Sequence, residues 1–200
     1  SHFCKTIFLL YMNNKILKYI LLDLLRNKFI IGYTIMLMIM SFAIIFIGRD
    51  ASKAVVTIMN LVLFIVPLVS LIFGTIHFYN SGEFIEFLLT QPVDRKSIFI
   101  AEYLGLSCSL SIGFLTGVGI PVIMHGINGT GISLLMTGVI LTFVFISVAF
   151  LSSLINKDKV RGIGLSIIIW IYLTIIFDGI ILSIIFLFSD YPIDKIIIIL

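Results

Sequence analysis

The sequence predicts an all-α, polytopic membrane protein with its N-terminus in the cytoplasm. Three observations carry this. Hydrophobic residues make up 60% of the 200-residue chain, charged residues only 12%, and mean hydropathy is +1.26. A soluble domain holds about 25% charged residues. The apolar residues fall in long runs, such as IIGYTIMLMIMSFAIIFIG at 30–48, and ~20 residues of helix cross the ~30 Å hydrocarbon layer. Such runs do not alternate polar with apolar, as the strands of a membrane β-barrel do. Finally, with the N-terminus inside, the inner segments hold Lys5, Lys15, Lys18, Arg26, Lys28, Arg95, Lys96, Lys157, Lys159 and Arg161, and the outer ones only Arg49, Lys53 and Lys195. Cytoplasmic loops are the ones enriched in Lys and Arg.

Residues 1–12 are an N-terminal extension without an assigned role, and Met12 is a candidate start. Residues 13–28, NNKILKYILLDLLRNK, place Ile16, Ile20 and Leu24 on one stripe, with Leu17, Leu21 and Leu25 beside it. Lys15, Lys18 and Arg26 lie away from that stripe. This predicts an amphipathic helix lying in the interface; the cytoplasmic end of the first span is the alternative. The first span covers about 29–48 and contains Met36, Met38 and Met40, read as packing residues. After RDASK, the second span covers about 54–79, with Pro67 near its middle and His77 near its far end. Proline removes a backbone donor and should kink the helix. His77 is read as an interfacial histidine.

Residues 82–105, GEFIEFLLTQPVDRKSIFIAEYLG, are the longest polar interruption. They hold Glu83, Glu86, Asp94, Arg95, Lys96 and Glu102. So many charges in one stretch of an apolar chain imply that it leaves the bilayer and meets something soluble. Asn80 or Ser81 can cap a short helix over 82–92, with Glu83 and Glu86 in its first turns, where the helix dipole favours negative charge. Phe84, Phe87 and Leu88 give it an apolar face, Pro92 stops it, and Asp94 can cap the third span.

The third span, about 97–124, carries Ala101, Gly105, Ser109, Gly113 and Gly117, each four residues after the last. Such a small-residue stripe lets two membrane helices approach closely; whether the neighbour lies in the same subunit or a second one stays open. Pro121 is read as closing the helix. HGINGTG is a turn, with Asn128-Gly129-Thr130 read as turn chemistry rather than a glycosylation site. The fourth span covers about 132–155, the basic loop NKDKVRG follows, and the fifth covers about 162–188. A further apolar run starts near 195 and breaks off at Leu200, a partial sixth span.

Few residues offer chemistry. Asp178 lies about 15 residues, or ~22 Å, above the inner end of its helix. A carboxylate at that depth suggests a polar cavity or a subunit contact; a residue reaching outer headgroups, or held protonated, is the equal alternative. Glu102, near the inner boundary, could pair with a basic residue on a neighbouring helix, although a solvated interfacial charge is the simpler reading. Cys4 and Cys108 lack CxxC spacing. No GxxxxGK[ST] occurs, so the chain has no P-loop for ATP. No metal-ligand spacing is evident; Met124 beside His125 is at most a weak copper contact. No catalytic constellation appears, and no nucleic-acid partner is expected.

Two stretches, LVLFIVPLVSLIFG at 61–74 and GEFIEFLLTQPVDRKSIFIAEYLGL at 82–106, resemble the permease subunits of ABC-2-type transporters. Within that family the chain is most similar to the NosY group, which serves nitrous oxide reductase maturation. The turn Gln91, Pro92, Val93, Asp94, Arg95, the short basic loop, Trp170 and the pair Phe177-Asp178 carry this likeness, which covers most of the chain from Asn13 onward. The resemblance implies six spans per subunit, a homodimer in a bacterial or archaeal inner membrane, and a separate cytoplasmic ABC ATPase that holds the ATP and magnesium. It implies that Glu83 to Arg95, including Phe84, Glu86, Phe87, Pro92 and Asp94, form the coupling helix seated in that ATPase. It further implies a periplasmic NosD-like partner, and a sulfur species or copper-related factor as cargo. An ATP-driven mechanotransmitter that acts on an outer partner without moving cargo is the competing function. An intramembrane enzyme or an ion-coupled transporter would need more convergent polar groups than the spans contain.

Overall fold

A computed structural model of the chain describes residues 20–48, 51–82, 95–124, 129–156, 158–176 and 180. All regular structure among the described residues is helical, and four helices are long and apolar enough to cross a membrane. The protein is an all-α, multi-pass membrane protein. Helix α1 spans Lys28–Ile47 and α2 spans Ala51–Asn80. Helix α3 spans Arg95–Phe114 and continues through a π-helical stretch, Leu115–Gly119, into a last turn, Ile120–Met124. Helix α4 spans Gly129–Ile155, and α5 spans Lys159–Ile171 and runs into a second π stretch, Tyr172–Ile176.

The helix ends follow from local chemistry. Asn27 caps α1, its side chain accepting from the Phe29 amide at 2.9 Å. Gly48 ends α1 where the chain reverses; a Cβ there would lie 3.0 Å from the Ile44 carbonyl and 3.1 Å from Ala54 Cβ. Within the spans, hydroxyls donate back to their own helix, as Thr34 does to the Ile30 carbonyl and Thr142 to that of Gly138. In hydrocarbon no water is present to satisfy them, so the nearest carbonyl does so for these two, whereas the buried hydroxyls of Ser70, Ser107 and Ser111 have no hydrogen-bond partner among the described residues.

Two prolines sit inside helices. Pro67 is internal to α2. Close to it, on α5, Trp170 Nε1 donates to the Phe64 carbonyl at 3.2 Å and the two rings meet edge to face at 4.7 Å. Phe64 is one residue beyond Leu63, whose carbonyl loses its helical donor to Pro67. Pro121 does not close its helix, contrary to the sequence-based expectation, for the chain stays helical to Met124. The π stretch directly before it widens the helix where the proline ring would crowd the preceding turn.

Helix α2 packs along α4 and α5, and α3 lies against α4 on one side and α1 on the other. Leu37, Ile58, Val66, Leu71, Leu106, Leu110, Phe114, Leu134 and Ile146 are fully buried between them. The opposite faces, with Ile35, Ile39, Phe46, Met136, Ile140 and Ile168, are exposed and apolar, as helices facing lipid are. Lys28, Asn80, Arg95, Ile155 and Lys159 mark one end of the bundle, here termed the basic end.

Candidate functional site

The ends of α2 and α3 at the basic end are the two roots of residues 83–94. They are joined. His77, three residues before the end of α2, places Nε2 2.8 Å from Oε2 of Glu102 on α3. Glu102 is 4% exposed and His77 is half-buried, so of the two readings raised from sequence Glu102 takes the pairing across to a neighbouring helix and not that of a solvated charge. The same Nε2 lies 3.3 Å from Ser81 Oγ, and the Phe73 ring stacks behind the imidazole at 6.2 Å. His77 is therefore a helix-to-helix partner and not a bare interfacial residue. A cleft of about 340 Å³ opens beside the pair, lined by Asp23, Asn27, His77, Asn80, Ser81 and Glu102. Among the described residues no group of His, Cys, Asp and Glu is arranged to hold a metal.

On its other side α2 is tied to α4 and α5. Thr75 Oγ1, Ser166 Oγ and Ser152 Oγ form a buried chain with spacings of 2.7 and 3.0 Å. Thr75 also donates to the Leu71 carbonyl and Ser152 to that of Ala149, each at 2.8 Å. Tyr79 OH donates to the Asn156 carbonyl at 2.6 Å, and Lys159 Nζ to Asn80 Oδ1 at 2.9 Å. Gly162 makes room for the Tyr79 ring, into which a Cβ would run. Next to this junction, Phe78, Phe99, Tyr103 and Phe150 form an aromatic cluster with ring centroids 5.3–6.5 Å apart.

The small-residue stripe of α3 faces its own chain. A Cβ on Gly105 would lie 2.6 Å from Ile20 Cγ2, one on Gly113 2.8 Å from Thr34 Oγ1, and one on Gly117 2.9 Å from Leu37 Cβ and from the Thr34 carbonyl. Ala101 and Ser109 are buried on the same side. The stripe thus accommodates α1 and the helical residues 20–25. Ile20 and Leu24, the described part of the N-terminal apolar stripe, are buried in this packing instead of facing lipid. Glu83, Phe84, Glu86, Phe87, Pro92 and Asp94, together with Asp178, lie outside the described residues; of Arg95 only the backbone, opening α3, is described.

No family model matches the chain. It is 22% identical over 186 residues to "Probable ABC transporter permease protein NosY" of Stutzerimonas stutzeri, covering 82% of this chain and 67% of that protein. It is 23% identical over 188 residues to the protein of the same name from Pseudomonas aeruginosa, covering 84% of this chain and 68% of that one. The chain is similar to ABC transporter permeases.

In this permease-like chain, the identity of His77 as the partner of Glu102 and the Thr75–Ser166–Ser152 junction escaped sequence reasoning. Each residue is ordinary where it stands. The available signal was spacing from the helix ends: His77 and Glu102 both fall within about two turns of the ends of α2 and α3 that flank residues 83–94, on consecutive antiparallel helices. Ser152 and Ser166 flank the basic loop in the same way.

Proposed function

We propose that this chain is the membrane-spanning permease subunit of an ABC transporter of the ABC-2 type, working in the inner membrane as a homodimer. The observation that carries this is the likeness to NosY permeases over more than four-fifths of the chain. Two features support it. The chain has no P-loop, so the motor would be a separate ATPase holding the ATP and magnesium. The acidic stretch 83–94 joins two helices whose roots are tied together at the basic end, the side assigned to the cytoplasm by Lys and Arg distribution. In this reading Glu83 to Arg95 docks onto the ATPase. The same reading takes from the resemblance to the NosY group a role in maturing a periplasmic copper enzyme, with a NosD-like partner outside.

A mechanotransmitter that moves an outer partner without cargo is the second reading. It is favoured by the buried hydroxyls of Thr75, Ser152 and Ser166, which bond to one another or to helix carbonyls, although Ser70 of α2 has no such partner.

Affinity purification of the full-length chain from its native membrane, with mass spectrometry of what accompanies it, tests the proposal. A P-loop ATPase in equal amount is the expected result. A chain that purifies alone under gentle solubilisation overturns the docking role of residues 83–95.

A further inference from the structure

A segment that docks a motor can move its helices only if its roots do not splay apart under load. Here the root on α2 is held from two sides. Tyr79, Asn80 and Thr75 bind it to α4 and α5 through Asn156, Lys159 and Ser166. His77, on the face turned to α3, binds Glu102 at 2.8 Å. Glu102 lies seven residues, about 10 Å of helix, inside the start of α3. The contact is therefore made just above residues 83–94 and not within them. It is also well supported: Ser81 and the Phe73 ring hold the imidazole, and the carboxylate is shielded from solvent.

We propose that the His77–Glu102 pair is a brace that makes α2 and α3 respond as one unit to force applied at residues 83–95. The inference rests on the ABC permease reading above. His77 and Glu102 are positioning residues in it. They lie on α2 and α3 and not in the docking segment; they set whether displacement of that segment reaches the outer halves of both helices. Because α2 is also tied to α4 and α5, displacement entering through the brace spreads to those two helices as well.

The test uses the complex of the full chain with its co-purified ATPase in lipid nanodiscs. Cys4 and Cys108 are replaced by Ser, and Met124→Cys is introduced. Met124 is exposed at the far end of the α3 continuation, opposite the basic end. Maleimide labelling of that cysteine is followed with and without ATP and vanadate, and ATP hydrolysis is measured in parallel. The reference complex is expected to change its labelling rate severalfold on nucleotide trapping. Glu102→Leu, which removes the acceptor at similar size, is expected to keep ATP hydrolysis and lose that change. The exchanged pair His77→Glu with Glu102→His is expected to regain it. Should Glu102→Leu not assemble, His77→Leu serves as the second variant, with the same expectation. Retention of the labelling change in the single variants overturns the brace. So does a reference complex that shows no nucleotide-dependent change, or an assembled variant that loses ATP hydrolysis itself, since a brace acts downstream of hydrolysis. Absence of any co-purified ATPase is a different failure: it removes the docking reading, and the brace with it.

Discussion

At the scale of single residues, the two halves of the His77–Glu102 pair are not equivalent. Removing His77 leaves a carboxylate that is 4% exposed without its 2.8 Å partner. Removing Glu102 leaves an imidazole that can be neutral and still has Ser81 within 3.3 Å. Leaving a poorly solvated carboxylate without its partner costs more than losing one neutral hydrogen bond, which costs about 0.5–1.5 kcal/mol. His77→Ala should therefore lower stability clearly more than Glu102→Ala. Denaturant unfolding in mild detergent, followed by Trp170 fluorescence, checks the order; equal losses would mean that the site does not hold a charge. Neither partner was legible alone. Histidine and glutamate near a membrane boundary are ordinary, and only the relative rotation of α2 and α3 turns them toward each other.

At the scale of the element, close approach explains several glycines. Gly113 and Gly117 let α3 lie against Thr34 and Leu37 of α1, and Gly138 of α4 receives the Phe114 ring. Overpacking such a contact costs about 1–3 kcal/mol. Gly113→Leu is expected to drive α3 away from α1 and to abolish normal assembly on blue-native gels; an unchanged band would show that this face tolerates separation. The π stretch before Pro121 shows a second element-scale feature: the helix itself widens to take the proline. The repeat of small residues was legible in the sequence, since four-residue spacing defines one face. Its neighbour was not, because any flat helix in the same or another subunit could have filled it.

At the scale of the whole molecule, the basic end gathers the polar ties between helices that flank residues 83–94. If those residues dock a motor, the two carboxylates that open them should matter to the complex and not to the fold. Replacing both Glu83 and Glu86 with Lys is expected to abolish ATPase co-purification while the permease itself still inserts and expresses. Quantitative mass spectrometry of the purified complex reads this, and unchanged co-purification would refute the coupling role. Any later outer-side interaction, with cargo or with a partner protein, should then be lost together with the ATPase.

The sequence by itself determined the membrane class, the spanning helices described and their alternation. These depend on the transfer free energy of continuous apolar runs and on the bias of Lys and Arg, both local properties of a chain. It also showed where the polar interruption falls, and on which helix face the small residues lie. The tertiary structure alone decided that the stripe of α3 receives α1, that Ile20 and Leu24 face protein, that Pro121 stays within its helix, and that His77 meets Glu102. The physical reason is that inside a bilayer hydrophobicity no longer distinguishes one helix neighbour from another. Close packing and the need to satisfy each buried polar group do so instead, and both depend on depth and rotation fixed only once the helices have come together.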